Sequence, residues 1–104
     1  MNLYTLNSRP SLLMVDDDPV ICDTLQFILA KSFNVSVVHT RAAAISALRQ
    51  FNGMPALALV DLGLPPSPHM PDEGFALISD LLAHAPNIKI VVLSGQNEEL
   101  HTRH

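Results

Sequence analysis

The apolar positions of this chain fall into blocks of two kinds. Four blocks are short and almost unbroken: LLMV at Leu12–Val15, NVSVVH at Asn34–His39, ALALVDL at Ala56–Leu62 and IKIVVL at Ile88–Leu93. Between them, apolar residues recur every three or four positions. Ile21, Leu25, Ile28 and Leu29 form one such stripe, running to about Lys31. RAAAISALRQF forms a second, and Phe75, Ile78, Leu81 and Leu82 form a third within Glu73–His84. Short unbroken runs predict buried strands, and the longer period predicts helices with one inward face. The punctuation agrees. Asp18-Pro19 reads as an N-cap followed by a proline at the first helical position. Thr40 is placed to cap the second helix, and Asn52-Gly53 to close it in a left-handed turn. LGLPPSPHMPDEG, with its four prolines, must be loop. Pro86-Asn87 breaks the third helix, Ser94-Gly95-Gln96 is a turn, and Asn97 opens a last helix.

Strand and helix alternate throughout, and the strands are apolar rather than alternating. That pattern predicts an α/β protein, a doubly wound parallel sheet covered on both faces. Ligands of such sheets bind beyond the carboxyl ends of the strands. The reactive residues lie at those ends: Asp16 and Asp17 after the first strand, Asp61 at the end of the third, Ser94 at the end of the fourth. Three carboxylates crowded together repel one another, each raising the proton affinity of the rest. A hard divalent cation such as Mg²⁺ takes oxygen ligands and relieves that repulsion. With the cation in place, one carboxylate can attack a phosphoryl group.

The totals narrow the picture. At 104 residues the chain makes one domain, and 48% hydrophobic against 15% charged residues gives it a packed core. A formal charge of -4 with no Lys/Arg stripe argues against direct binding of nucleic acid. A lone cysteine, Cys22, makes an internal disulfide impossible and fits a cytoplasmic location; on its helix it reads as a small hydrophobe. MNLYTLNSRP is not a signal peptide, and no apolar run is long enough to span a bilayer. The five histidines, His101 and His104 included, offer no convincing metal set.

The segments LLMVDDDPVI, ALALVDLGLP, the D-E-G after the proline loop, and IVVLSG resemble, in order and spacing, the receiver domains of two-component response regulators. The resemblance runs from Ser11 to about Gln96. It implies residues 1–10 as an N-terminal extension, 11–104 as the receiver, and a flavodoxin-like strand order 2-1-3-4. It implies that Asp61 is the phosphoacceptor, taking a phosphoryl group from a histidine kinase or phosphotransfer protein in a signalling switch. Asp17 and Asp61 would ligate Mg²⁺, with Asp16 helping to hold it partly through water and the Gly63 carbonyl completing the set. Ser94 matches the hydroxyl that bonds the phosphoryl oxygen, and Gly95 the small residue beside it. Gly63 and Gln96 occupy the positions that tune loss of the phosphoryl group. Such a domain is not an enzyme beyond catalysing its own phosphorylation and dephosphorylation.

Two features depart from the family. Its fifth strand, with a phosphate-pairing lysine and an aromatic switch residue, and its last helix are not reached by His104. The expectation is therefore a receiver incomplete at its C-terminus and part of a longer protein. The fourth strand would then be an apolar edge that invites pairing with a second copy. The proline loop is also longer than usual; it reads first as a solvated insertion without a role, and in the functional alternative as a partner-selecting lip with His69 and Met70 as its contact residues. Two other functions compete. A degenerate receiver would dimerise or bind a partner without phosphorylation, but has no chemical need of the acidic trio. An aspartyl-nucleophile phosphatase would want a second aspartate two residues after Asp61, where Gly63 stands.

Overall fold

The computed structural model describes residues 9–50 and 55–93. Its elements run β1 (Ser11–Val15), α1 (Pro19–Leu29), β2 (Asn34–Val38), α2 (Arg41–Gln50), β3 (Leu57–Asp61), α3 (Asp72–His84) and β4 (Lys89–Leu93). The four predicted strands and the first three predicted helices are present, with ends displaced by a residue or two. The caps behave as the sequence suggests. Asp18 Oδ1 accepts from the amides of Val20 and Ile21 at 2.9 and 3.4 Å, and Thr40 Oγ1 accepts from Ala43 at 3.0 Å. The Asn52-Gly53 cap, the Ser94-Gly95-Gln96 turn and the helix opening at Asn97 lie outside the described residues.

The four strands are all parallel, in the order β2-β1-β3-β4. The chain therefore steps one way from β1 to β2, then reverses across the sheet to β3 and β4. Crossovers between parallel strands are right-handed, so a reversal of direction changes the face that the connecting helix covers. The packing follows. Leu12, Met14 and Leu59 meet Cys22, Leu25 and Leu29 of α1 on one face. Leu13, Val15, Ala58 and Val60 meet Ala44 and Leu48 of α2 and Leu77 and Leu81 of α3 on the other. Alternate residues of β1 thus feed two cores, which is why LLMV is apolar without a break.

Two helix faces differ from the expected stripes. Phe75 and Leu82 were expected to face inward but are 55% and 43% exposed, while Gly74, Leu77 and Leu81 are buried. In α1 the buried residue is Cys22, with Leu25 and Leu29 packed beside it, and Ile21 and Ile28 are exposed. In both helices the apolar arc is wider than the sheet contact. Periodicity locates the arc but not which edge of it is covered. For α3 the choice is set by Gly74. A Cβ there would lie 2.3 Å from the Leu62 Cα, so the first turn sits directly on the Leu62 backbone.

Arg41 joins the two helices of the larger core. Its Nε donates to Asp80 Oδ2 at 2.8 Å and its Nη1 lies 3.4 Å from Glu73 Oε1. No helix among the described residues is long and apolar enough to cross a membrane.

Candidate functional site

The reversal in strand order falls between β1 and β3, and the crevice of a doubly wound sheet opens at that point. The sequence places Asp16 one residue beyond β1 and Asp61 as the last residue of β3. Asp17 follows Asp16 in the loop that leads to α1. One carboxylate oxygen from each of Asp16, Asp17 and Asp61 lies within 4.8 Å of the others. Asp16 is buried, Asp61 is half-buried and Asp17 is the most open of the three. The sequence expectation that these residues converge is met by the geometry. Gly63 joins them in lining a cleft of about 690 Å³.

Backbone amides hold two of the three carboxylates. The Asp18 amide donates to Asp16 Oδ1 at 2.9 Å, and the Gly63 amide donates to Asp61 Oδ1 at 3.1 Å. The Leu62 amide donates to the Leu93 carbonyl at 3.3 Å, and the Gly74 amide to the Leu62 carbonyl at 3.2 Å. Leu62 therefore ties the acid-bearing end of β3 both to β4 and to the start of α3.

Burial pushes the Asp61 carboxyl up to about 6, and the neighbouring charges of Asp16 and Asp17 add to the rise. Burial also raises Asp16, only partly offset by the Asp18 amide. These are the marks of carboxylates held together against their own repulsion. The donor set is all oxygen and carries three negative charges. It suits a hard cation such as Mg²⁺, which binds through carboxylates and keeps several waters.

The rest of the lining comes from Asp18 and the first turns of α1, from the proline loop and from Leu93. Ile21, Leu25 and Leu93 form one wall, and Pro68 and His69 stand at the loop side. Of the two residues named for the lip alternative, His69 lines the cleft, whereas Met70 lies exposed outside its lining. Ser94, Gly95 and Gln96 lie outside the described residues.

Two contacts went unread in the sequence. Cys22, expected as a small buried hydrophobe, is buried, and its Sγ donates to the Asp16 carbonyl at 3.2 Å. Burial and the surrounding aspartates raise this thiol, which keeps it protonated and able to donate. His39 Nδ1 lies 2.9 Å from the same carbonyl. The signal for His39 is register: Val15 pairs with Val38, so the next residues along, Asp16 and His39, are neighbours across the strands.

Comparison with known proteins agrees with this geometry. The sequence model of the response regulator receiver domain matches residues 12–104. The chain belongs to the response regulator receiver domain family. A sensor protein from Polaromonas sp. JS666 is 30% identical, with a TM-score of 0.70 over 92% of this chain and 74% of that one. A CheY-like receiver domain protein from Methanospirillum hungatei JF-1 is 25% identical, with a TM-score of 0.73 over 92% of this chain and 74% of its own. A CheY-like receiver domain from Methylobacillus flagellatus has a TM-score of 0.71 at 24% identity, covering 88% of this chain and 74% of that one, and shows the shared fold. A comparison with curated proteins gives no match.

Proposed function

We propose that this domain is a phosphoacceptor of two-component signalling, with Asp61 as the acceptor and Asp16, Asp17, Asp61 and the Gly63 carbonyl as the Mg²⁺ set. The observation that carries this reading is the convergence of three carboxylates from two strand ends within 4.8 Å, with Asp61 raised to about 6. The donor is a phosphohistidine on a histidine kinase or phosphotransfer protein. An Asp61 carboxylate oxygen attacks phosphorus, the P–N bond breaks, and its electron pair returns to the imidazole nitrogen. The product is an acyl phosphate on Asp61. Mg²⁺ held by these residues would supply charge neutralisation at the phosphoryl oxygens. Asp16 and Asp17 hold that cation, the Gly63 amide orients the acceptor, and the Ser94 hydroxyl bonds a phosphoryl oxygen. Such an exchange belongs in the cytoplasm, and the domain works as a switch rather than as an enzyme with a turnover of its own.

The test is intact-mass measurement after incubation with acetyl phosphate. A single phosphoryl adduct is expected with Mg²⁺, and none in chelator or in Asp61→Asn. A folded wild-type protein that takes up no phosphoryl group would refute the reading and leave the degenerate receiver, binding its partner without phosphorylation.

We further propose that a second copy pairs along β4. Among the described residues this strand pairs only with β3, and Val91 and Val92 are 46% and 45% exposed. Exposed apolar edge strands are templates for such pairing. Light scattering should show a mass that rises with concentration, and Val91→Lys should hold the protein at monomer mass. A wild-type monomer at all concentrations would remove this proposal.

A further inference from the structure

We propose that His39 and Cys22 are positioning residues for the acidic cluster, acting through the main chain of Asp16. The inference rests on the reading of that cluster as a Mg²⁺ site.

Asp16 is the most deeply buried of the three acids, only 3% exposed, and it sits where β1 gives way to the loop before α1. Its amide donates to the Val38 carbonyl at 3.1 Å, the last ladder bond on that side of β1. Its carbonyl receives two side-chain donors from different elements. One is Cys22 Sγ, from α1, at 3.2 Å; the other is His39 Nδ1, from the segment after β2, at 2.9 Å. A carbonyl oxygen only accepts, so the His39 ring must carry its proton on Nδ1. The donors come from α1 and from beside β2, so they tie the start of the loop to both of its flanks.

The electrostatics explain why such a tie matters. Asp16, Asp17 and Asp61 repel one another, and an outward shift of the loop that carries Asp16 and Asp17 would relieve that repulsion. The bond from the Asp18 amide to Asp16 Oδ1 lies within the same loop and moves with it. The Val38, His39 and Cys22 bonds resist that outward motion at Asp16 itself, beside the cap that ties Asp18 to α1. They place the cost of crowding the carboxylates in folding, so that a cation meets a set already in position. Partners that orient metal ligands are worth about 10- to 100-fold in metal affinity. His39 acts one bond removed, on the ligand's main chain, so the lower end applies.

The experiment is a Mg²⁺ titration followed by amide NMR shifts of Asp17 and Gly63. It is run on the wild type, His39→Ala, His39→Asn, Cys22→Ala and Cys22→Ser, with thermal unfolding of each in chelator. His39→Ala should raise the Mg²⁺ dissociation constant about tenfold. His39→Asn places an amide donor where Nδ1 stood and should recover most of that loss. Cys22→Ala should weaken binding by about two- to threefold, because a thiol is a weak donor, and Cys22→Ser should not. Equal affinity in His39→Ala and wild type overturns the proposal. So does equal weakening in His39→Ala and His39→Asn, which would mean packing and not a donated bond. Should His39→Ala fail to fold in chelator, the contrast between Cys22→Ser and Cys22→Ala decides. A folded wild type that shows no Mg²⁺-dependent shifts refutes the cation site itself and this proposal with it.

Discussion

Gly74→Ala is expected to destabilise the domain by about 2 kcal/mol, lowering its melting temperature by roughly 10 °C. Two effects compete. Alanine is the better helix former, worth about 1 kcal/mol in a helix interior, and Gly74 lies in the first turn of α3. Against that, the added Cβ would meet Leu62 Cα at 2.3 Å, Leu62 O at 2.7 Å and Leu62 C at 2.9 Å. All three are backbone atoms and cannot swing aside as a side chain could. Either α3 lifts from the sheet or Leu62 retreats. The first opens the core around Leu77 and Leu81; the second drags on Asp61 and Gly63, the neighbours of Leu62. The steric term should win, and Mg²⁺ affinity should fall along with stability. A melting temperature within a degree or two of wild type would show that the helix does not rest on the Leu62 backbone.

Without divalent cation at pH 7.5, Asp61→Asn should be more stable than wild type by about 1–2 kcal/mol. A rise of the carboxyl from 3.8 to about 6 corresponds to at most about 3 kcal/mol, and solvent screening in a half-open cleft reduces it. The sign follows from linkage. The folded state holds the Asp61 proton more tightly than the unfolded state. The associated stability is complete below pH 3.8 and is lost as pH rises through about 6. Asparagine keeps an oxygen for the Gly63 amide and never ionises. The advantage of Asp61→Asn should therefore vanish near pH 4 and be full above about pH 6. Mg²⁺ should reverse the order, because it binds the folded wild type and loses a ligand in the variant. Thermal melts across pH, with and without Mg²⁺, read all of this. A variant less stable than wild type at pH 7.5 in chelator would mean that neither burial nor the neighbouring charges disfavour the Asp61 carboxylate in the folded domain.

The same pair of effects shows how far the residues can be read before the fold is known. The acids of the site were legible because each ends an apolar run. LLMV into Asp16-Asp17 and ALALV into Asp61 announce charge at a strand's carboxyl end, and parallel strands bring those ends to one edge. The caps at Asp18 and Thr40 were legible because capping is a local bond between residues two or three apart. The inward faces of α1 and α3 were less so. Ile21, Ile28, Phe75 and Leu82 share an apolar arc with the residues that are buried, and only the neighbouring sheet selects among them.

By itself, then, the sequence determined what depends on neighbours along the chain: strand and helix periods, caps, the proline loop, and the acidic tips of two strands. The tertiary structure alone decided what depends on distance in space. The strand order that puts Asp16 beside Asp61 was already expected from the family resemblance, but the structure alone set the register that places His39 against the Asp16 carbonyl. It also set the approach that leaves no room for a side chain at Gly74. Propensity and capping act over a few residues of backbone, whereas repulsion between carboxylates, burial and close packing act between segments that meet only when the sheet has formed.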